Sequence, residues 1–266
     1  MPELPEVETI VRGLRGPLRG RLFVDVQVHW ERMVQAPLPE FRARLSGQRI
    51  EEVHRRGKYL VFRLSGGDSL LIHLKMTGDL LVLSATDPLH PHDRVVFDLD
   101  NGHQLRFRDM RKFGRVYLTR DASQVVGQLG PEPLEEGFSE EDFLALFDRR
   151  SGRIKSLLLD QGFIAGLGNI YADEALFLAG IQPLRRSDTL GGEDKRRLYQ
   201  AIRHVLSVAI EHKGTSLADK TYRGGRYQQQ FLVYAREEQP CPVCGAPIRR
   251  IRLGQRSAHF CSSCQQ

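Results

Sequence analysis

The stretch Cys241-Pro-Val-Cys244-Gly-Ala-Pro-Ile-Arg-Arg-Ile-Arg-Leu-Gly-Gln-Arg256-Ser-Ala-His-Phe-Cys261-Ser-Ser-Cys264 decides how the end of the chain folds, because it holds all four cysteines. Each Cys-x-x-Cys turn can direct two thiolates at one tetrahedral ion, and the spacing between the turns is typical of four-cysteine zinc sites. Two disulfide bonds are the alternative, and the lack of a secretory signal argues against them. Residues 239–266 are too few to build a core, so one structural Zn²⁺ must supply much of their folding free energy.

Between the two cysteine pairs the sequence predicts a β-hairpin. Residues 248–253 and 258–260 are the two arms, and residues 254–257 are the polar turn. This hairpin carries four arginines and no acidic residue. Such a finger is suited to lie on backbone phosphates.

The opposite end of the chain begins Met1-Pro2-Glu3-Leu4-Pro5-Glu6. A small residue after Met1 usually lets the initiator methionine be removed, which leaves Pro2 with a free secondary amine. An α-amino group has a reference pKa near ~8, against ~10.4 for lysine, so more of it is an uncharged nucleophile at neutral pH. Its addition to a sugar aldehyde carbon would give an iminium, with Glu3 and Glu6 nearby for proton transfer. Taken alone, these residues predict only the start of a helix.

Composition and charge limit the classes of function. The chain has 266 residues, of which 41% are hydrophobic, enough for a core in one or two domains. It has neither an apolar run near the ~18 residues of a membrane span nor an apolar signal region, so we expect a cytoplasmic protein. The net charge of +6 divides into +4 over residues 1–130, −5 over 131–150 and +7 over 151–266. Two basic blocks joined by an acidic linker favour a polyanionic partner bound in a basic cleft, although ordinary surface charge can give the same pattern.

Hydrophobic periodicity predicts an α+β protein. An apolar stripe with helical spacing follows Pro5, at Val7, Ile10, Val11 and Leu14. Between residues 22 and 120, short β-rich segments lie too close together for crossover helices, so we expect an antiparallel β-sandwich. After the linker the pattern becomes helical, with a capped helix start at Ser139.

The segment Gly166-Leu-Gly-Asn169 predicts a tight turn between two helices, with Asn169 capping the second. A helix start preceded by glycines is also a phosphate-binding site, although an ordinary helix–helix turn explains the same residues. Residues 213–230 form a long polar loop with a Gly-Gly pair, and loops of this length are often functional lids.

The motifs, taken together and in order, resemble those of the bacterial formamidopyrimidine-DNA glycosylases, also called 8-oxoguanine DNA glycosylases. They are Pro2-Glu-Leu-Pro-Glu-Val-Glu8, Lys58 in Arg-Gly-Lys-Tyr, His73-Leu-Lys-Met-Thr-Gly78, Arg111-Lys-Phe-Gly114, Gly130-Pro-Glu-Pro133, Gly168-Asn-Ile-Tyr-Ala172 and the terminal cysteine hairpin with Arg256. The resemblance covers essentially the whole chain. The sister family, endonuclease VIII, typically starts Pro-Glu-Gly-Pro, so Leu4 and the loop 213–230 favour the purine-repair branch.

The resemblance implies base-excision repair, in which 8-oxoguanine and formamidopyrimidines are removed from duplex DNA through a Schiff base on the amino-terminal proline. The abasic site is then cleaved by β,δ-elimination. Pro2 would attack C1′ with Glu3 as proton donor and shuttle, and Glu6 joins this catalytic set. Lys58 resembles the lysine assigned to β-elimination, and Arg256 the arginine assigned to δ-elimination.

The resemblance also implies that the damaged base is flipped out and that Met76, Arg111 and Phe113 fill the gap. In that role Arg111 would bond the cytosine that has lost its partner. The loop 213–230 aligns with the loop that caps the flipped base. The remaining residues implied to hold the DNA backbone are His92, Arg150, Lys155 and Asn169, with His73 and Tyr234 on the same surface.

The expected architecture has four segments. They are an N-terminal catalytic β-sandwich domain with an N-terminal helix at 1–130, an acidic linker and first helix at 131–150, a helical DNA-binding domain with a helix–two-turn–helix motif at 151–238, and a zinc finger at 239–266. We expect a monomer, associated with the nucleoid, that binds damaged double-stranded DNA and one structural Zn²⁺. No membrane and no small-molecule cofactor is expected.

Two other functions stay open on the sequence. One is a non-catalytic protein that recognises bent or damaged DNA with the same finger, although a pure binder has no need of a free Pro2 beside Glu3 and Lys58. The other is a pyrimidine-directed glycosylase of the endonuclease VIII type, which a panel of substrates distinguishes.

Overall fold

A computed structural model describes residues 1–216 and 224–266 of the protein. The chain divides into two compact units, of which the first contains Met1–Glu3 and Val7–Gln128 and the second contains Leu4–Glu6 and Leu129–Gln266. Three residues near the amino terminus therefore belong to the second unit. No helix in the described residues is long and apolar enough to cross a membrane.

The first unit is a β-sandwich with helices beside it. Its elements are α1 (Leu4–Leu18, whose first three residues count with the second unit), β1 (Phe23–Val28), α2 (Leu38–Leu45), β2 (Ile50–Arg56), β3 (Tyr59–Leu64), β4 (Ser69–His73), β5 (Gly78–Ser84), β6 (Asp93–Leu99), β7 (His103–Asp109), β8 (Arg115–Thr119) and the short α3 (Ser123–Val126). One sheet has the strand order β1-β6-β7-β5 and the other β2-β3-β4-β8. All pairs of neighbouring strands are antiparallel, which confirms the predicted sandwich.

The apolar faces of both sheets and of α1 share one hydrophobic core. The predicted helical stripe is fully inside it, since Val7, Ile10, Val11 and Leu14 are at most 1% exposed. Each such burial contributes about 1.5–3 kcal/mol relative to leaving the side chain in water. The amino-terminal helix is therefore fixed on the sandwich by its apolar face.

The second unit is helical and ends in a hairpin. Its elements are α4 (Glu140–Ala145), α5 (Ile154–Leu159), α6 (Asn169–Leu178), α7 (Gly192–Glu211), β9 (Arg249–Leu253) and β10 (Arg256–Phe260). The predicted cap of α4 is present, because the Ser139 hydroxyl accepts from the Asp142 N–H and the Asp142 carboxylate accepts from the Ser139 N–H. The strands β9 and β10 are antiparallel and enclose a two-residue turn.

The turn between α5 and α6 is built around the side chain of Gln161. Its amide oxygen accepts from the Gly166 N–H at 3.0 Å, and its amide nitrogen donates to the Leu167 carbonyl at 2.8 Å. The prediction that Asn169 caps α6 is wrong. Gly168 occupies the capping position with an extended backbone, and Asn169 is the first helical residue, so its side chain is not placed to cap.

Candidate active site and nucleic-acid interface

Pro2 and Glu3 lie immediately before α1, and both are buried. Only 3% of Glu3 is exposed, and its carbonyl accepts a hydrogen bond from the Val7 N–H at 3.1 Å, which fixes the backbone next to Pro2. Met1, by contrast, is 37% exposed. Once Met1 is removed, a buried carboxyl group stands one residue from a secondary amine, which is the pairing that acid–base chemistry at that amine requires.

Glu6 is tied into the second unit by its carboxylate. One oxygen accepts from the Tyr171 hydroxyl and from the Thr215 N–H, the latter at 2.7 Å. Gly214 has a φ of +74°, and a Cβ there would meet this oxygen at 2.7 Å, so only glycine allows the approach. Glu6 therefore holds the start of α1 on the first residues of the loop 213–230. Residues 217–223 of that loop lie outside the described residues, so its predicted capping role stays a prediction.

Lys58 and His73 lie close together in the first unit. Lys58 lies in the β2–β3 turn and is 5% exposed, and His73 ends β4 with its ring edge-on to Tyr59 at 4.6 Å. Burial, followed by the charges of Lys75 and Lys58, lowers the pKa of His73 to about 3. Its Nδ1 accepts from the Lys75 N–H at 2.9 Å, which leaves the proton on Nε2. A neutral His73 can donate a hydrogen bond to a phosphate but adds no charge.

The structure brings the three predicted gap-filling residues onto two adjacent loops of the first unit. Met76 is half-buried in the loop between β4 and β5, and Arg111 and Phe113 are exposed in the loop between β7 and β8. The Arg111 guanidinium stacks on the Phe113 ring at 4.6 Å from its centroid. Met110, at 53% exposure, adds a further apolar side chain that the sequence analysis missed. Large exposed apolar groups beside an arginine are typical of a surface that contacts a partner.

His92 lies at the start of β6, next to the second of these loops. Its Nδ1 is 3.0 Å from the Arg94 guanidinium, whose Nε donates to the Asp109 carbonyl at 3.0 Å. The His92 carbonyl accepts from the Asp109 N–H at 2.9 Å. His92 is thus held by both its backbone and its ring, and its side chain stays half-exposed.

In the second unit, Lys155 lies in a fully buried ion pair. Its ammonium donates to Asp173 Oδ1 and to the Ser257 carbonyl, each at 2.5 Å. The other Asp173 oxygen accepts from the His259 N–H at 3.0 Å. This places the Lys155 ammonium on the hairpin, next to Arg256. The phosphate contact expected of Lys155 stays a prediction.

Arg256 opens β10 directly after the hairpin turn and is exposed. Tyr234 packs edge-on against the His259 ring at 5.1 Å, and its N–H donates to Glu174 at 2.8 Å. Glu174 accepts from two further N–H groups of the same segment, and burial raises the pKa of its carboxyl group. Tyr234 and the hairpin are therefore both anchored on α6.

Arg150 and Asn169 complete the predicted phosphate contacts. Arg150 is exposed and forms an ion pair with Asp160, itself 43% exposed, so the guanidinium can exchange this partner for a phosphate. Asn169 stands at the start of α6, and its buried Oδ1 has no hydrogen-bond partner in the described part of the chain. A buried polar atom without a partner at the start of a helix is a candidate for a hydrogen bond to a bound ligand.

The four cysteines form a zinc centre. Their sulfur atoms lie within 4.8 Å of one another, with 3.8 Å between Cys241 and Cys264 and 3.5 Å between Cys244 and Cys261. Zinc–thiolate bonds of about 2.3 Å place tetrahedral sulfurs about 3.8 Å apart, whereas a disulfide needs about 2.05 Å. The neighbouring thiols, first Cys244, raise the pKa of Cys264 to about 12. Metal binding requires the thiolate forms, so it would release protons from these thiols. The arrangement of the sulfur atoms confirms the single structural Zn²⁺ and excludes the two disulfides.

Buried polar residues that hold these side chains were missed by the sequence analysis. They share near-complete burial and several hydrogen bonds, and they are Asp109, Tyr171, Asp173, Glu174 and Thr215. One signal was available: Asp173-Glu174 stands in the middle of the otherwise apolar stretch of α6, where acids are rarely buried unless paired.

Comparison with known proteins agrees with this geometry. Three family models match in sequence: the formamidopyrimidine-DNA glycosylase N-terminal domain at residues 1–116, its H2TH domain at 129–221, and a zinc finger found in FPG and IleRS at 238–266. Formamidopyrimidine-DNA glycosylases of Desulforamulus reducens and Pelotomaculum thermopropionicum are 47% and 46% identical, each over 100% of this chain and 99% of the relative.

Solved structures show the same likeness. A Lactococcus lactis Fpg complex with N7-benzyl-Fapy-dG DNA superposes with a TM-score of 0.93 at 34% identity, over 100% of both chains. A MutM complex with carbocyclic 8-oxo-G DNA gives 0.93 at 35%, again over 100% of both chains. With its helix, antiparallel sheets, helical region and zinc hairpin all matched over the full length, this chain belongs to the formamidopyrimidine-DNA glycosylase family.

Proposed function

We propose that this protein excises 8-oxoguanine and formamidopyrimidines from duplex DNA and then cleaves the abasic site. The observation that carries the proposal is the amino terminus, where Pro2 and Glu3 are buried at the start of α1. Chain ends are usually exposed and poorly ordered, so a buried end has to be held there by its surroundings. An amine held in this way attacks from one fixed direction, which lowers the entropic part of the barrier.

In the proposed reaction the Pro2 nitrogen attacks C1′ of the damaged nucleotide, and the bond from C1′ to the base breaks with its electron pair leaving on the base. The proton that the Pro2 amine loses balances the proton that the departing base takes up. Glu3 supplies the proton for the sugar-ring oxygen as the ring opens to the iminium. Loss of the C2′ proton then expels the 3′ phosphate, and a second elimination expels the 5′ phosphate. Lys58 is proposed for the first elimination and Arg256 for the second, and Glu6 holds the helix turn that follows Pro2.

The DNA would be held by both units. In the first unit the exposed Arg111–Phe113 stack and Met76 are proposed to occupy the gap left by the flipped base. In the second unit the basic hairpin supports phosphate binding, as do Arg150 and Asn169. We further propose that the protein works as a monomer on nucleoid DNA in the cytoplasm.

Borohydride reduction on an 8-oxoguanine:cytosine duplex tests the nucleophile. Protein with a sequenced Pro2 amino terminus should become covalently trapped on the DNA, and Pro2→Gly should trap weakly. A short amino-terminal extension should abolish trapping because it turns the Pro2 nitrogen into an amide. The same extension placed after Gln266 is the matched control and should trap like the parent. Undiminished trapping by protein with an intact Met1 would overturn the mechanism, and preference for oxidised pyrimidines would overturn the substrate assignment.

A further inference from the structure

One fully buried carboxylate, that of Asp109, joins the two loops that bear the proposed gap-filling residues. It lies at the end of β7. Its Oδ1 accepts from the Thr77 hydroxyl, next to Met76, and from the Arg111 N–H at 3.1 Å. Its Oδ2 accepts from the Gly114 N–H at 2.8 Å. The Asp109 carboxylate therefore binds both loops: the loop 74–77 through Oδ1, and the loop 110–114 through both oxygens.

The contacts between the loops extend beyond the carboxylate itself. The Arg111 N–H also reaches the Thr77 hydroxyl, at 3.1 Å, so the two loops touch directly at the point where both meet Asp109. The backbone of Asp109 bonds the His92 carbonyl and the Arg94 guanidinium. A fourth proposed DNA contact, His92, is thus placed by the same residue.

The loops have little freedom to move elsewhere. A Cβ on Gly78, where the first loop ends, would meet the Phe107 ring at 2.7 Å, and a Cβ on Gly114, where the second ends, would meet it at 2.3 Å. Each loop also contains a lysine in the left-handed region, Lys75 with φ +54° and Lys112 with φ +60°. Side-chain-bearing residues keep this conformation only when their surroundings enforce it.

We propose that Asp109 is the positioning residue that holds Met76, Arg111 and Phe113 in fixed relative positions. It thereby controls base extrusion and the preference for cytosine opposite the lesion. The inference rests on the proposed glycosylase function. Asp109 is fully buried and its carboxylate bonds Thr77, Arg111 and Gly114, so it acts through the two loops. Its loss should affect the steps that need the loops and spare the chemistry at Pro2.

Asp109→Asn is the sharpest variant, because it keeps the volume but sets an NH₂ group against at least one of the three donors, Thr77, Arg111 and Gly114. Single-turnover excision from an 8-oxoguanine:cytosine duplex should fall by roughly 10- to 100-fold, the size of loss that a small misplacement causes. Cleavage of a preformed abasic site should be nearly unchanged, and the preference for cytosine over adenine opposite the lesion should narrow. Thr77→Val removes only the bridging hydroxyl and should shift both readouts in the same direction by less.

Asp98→Asn is the matched control. The Asp98 carboxylate accepts from Gln104 and Gln27 and lies at the end of β6 that is far from His92 and Asp109. Asp98→Asn should change neither the rate of excision relative to abasic-site cleavage nor the preference for cytosine over adenine. In the double variant Met76→Ala with Asp109→Asn, the loss should be smaller than the product of the single losses, because both act on one loop.

Three results would overturn the inference: equal losses on both substrates, an unchanged opposing-base preference, or multiplicative losses in the double variant. If Asp109→Asn fails to fold, Thr77→Val decides by the same criteria. A parent protein that excises neither 8-oxoguanine nor formamidopyrimidines contradicts the proposed function instead.

Discussion

At the scale of single residues, the exposed gap-filling side chains give a direct test of base extrusion. Met76→Ala and Phe113→Ala should slow excision from duplex DNA, because the hole left by the base is no longer filled. Abasic-site cleavage should suffer much less, since no base remains to be extruded. Arg111→Ala should also relax the preference for cytosine, because a good bidentate contact contributes ~1–3 kcal/mol of discrimination. Single-turnover rates against each opposing base measure both effects.

Val24→Ala is a matched control for these variants, since Val24 is an exposed apolar residue on β1, 53% exposed, outside the two loops. It should leave both rates unchanged. Equal losses on the two substrates with opposing-base preference intact would assign Met76 and Phe113 to packing or to general phosphate binding.

The burial of His73 should make the stability of the first unit depend on pH. Its pKa falls from 6.5 to about 3 on folding, so between these values the unfolded chain binds a proton that the native state does not. The stabilisation is complete above pH 6.5 and is lost as the pH falls towards 3, by up to about 1.4 kcal/mol per pH unit. His73→Gln should flatten this slope in urea unfolding. His103→Gln, at an exposed histidine, is the control, and an equal flattening there would contradict the assignment.

Some residues of the candidate site could be predicted from sequence, and their supports could not. Spacing alone identified the four cysteines, whereas Pro2 was singled out only by the resemblance of all the motifs together. By contrast, Asp109 and Tyr171 act through partners that are distant in sequence, such as Thr77 and Glu6. No local pattern marks such a pairing, because it exists only once the strands or helices have packed.

At the scale of elements, the zinc centre should determine whether the terminal hairpin folds. Cys244→Ser or chelation should unfold the hairpin and remove DNA binding, because its few apolar groups cannot replace the metal's contribution. The β-sandwich should stay folded. Zinc content, hairpin amide protection and DNA affinity measure the three outcomes. Ser263→Ala, at an exposed position between two zinc ligands, should change none of them. Full activity after verified zinc removal would contradict a structural role.

Hydrophobic periodicity did not predict every helix and strand. The helix α1 was predicted from its apolar stripe, but no pattern identified α2, β2 or β8 individually. The strand β2 reads Ile50-Glu-Glu-Val-His-Arg-Arg56 and buries only Ile50 and Val53, so its charges hide the alternation. The strand β8 has five residues and gains its identity from pairing with β4. Such strands depend on tertiary contacts more than on their own composition.

At the scale of the whole molecule, the excess of positive charge should make DNA affinity strongly dependent on salt. The logarithm of the binding constant should fall linearly with the logarithm of salt concentration, by about 0.9 for each phosphate contact. Arg249→Gln, on the exposed hairpin, should reduce this slope. Arg63→Gln, whose guanidinium lies beside Glu51 and Glu52, should leave it unchanged. Equal changes of the salt slope in both variants would show that the net charge of the protein sets this slope, and not the arginines of the hairpin.

The assignment of Leu4–Glu6 to the second unit has a consequence for synthesis. The partner of Glu6 at Tyr171 lies 165 residues further along the chain, and Leu4 bonds the carbonyl of Gly166. A ribosome delivers the amino terminus first, yet these partners emerge only when more than half of the protein exists. The end that carries the proposed nucleophile is thus the first part to be made, but it can be fixed in place only after Gly166, Tyr171 and Thr215 have been synthesised.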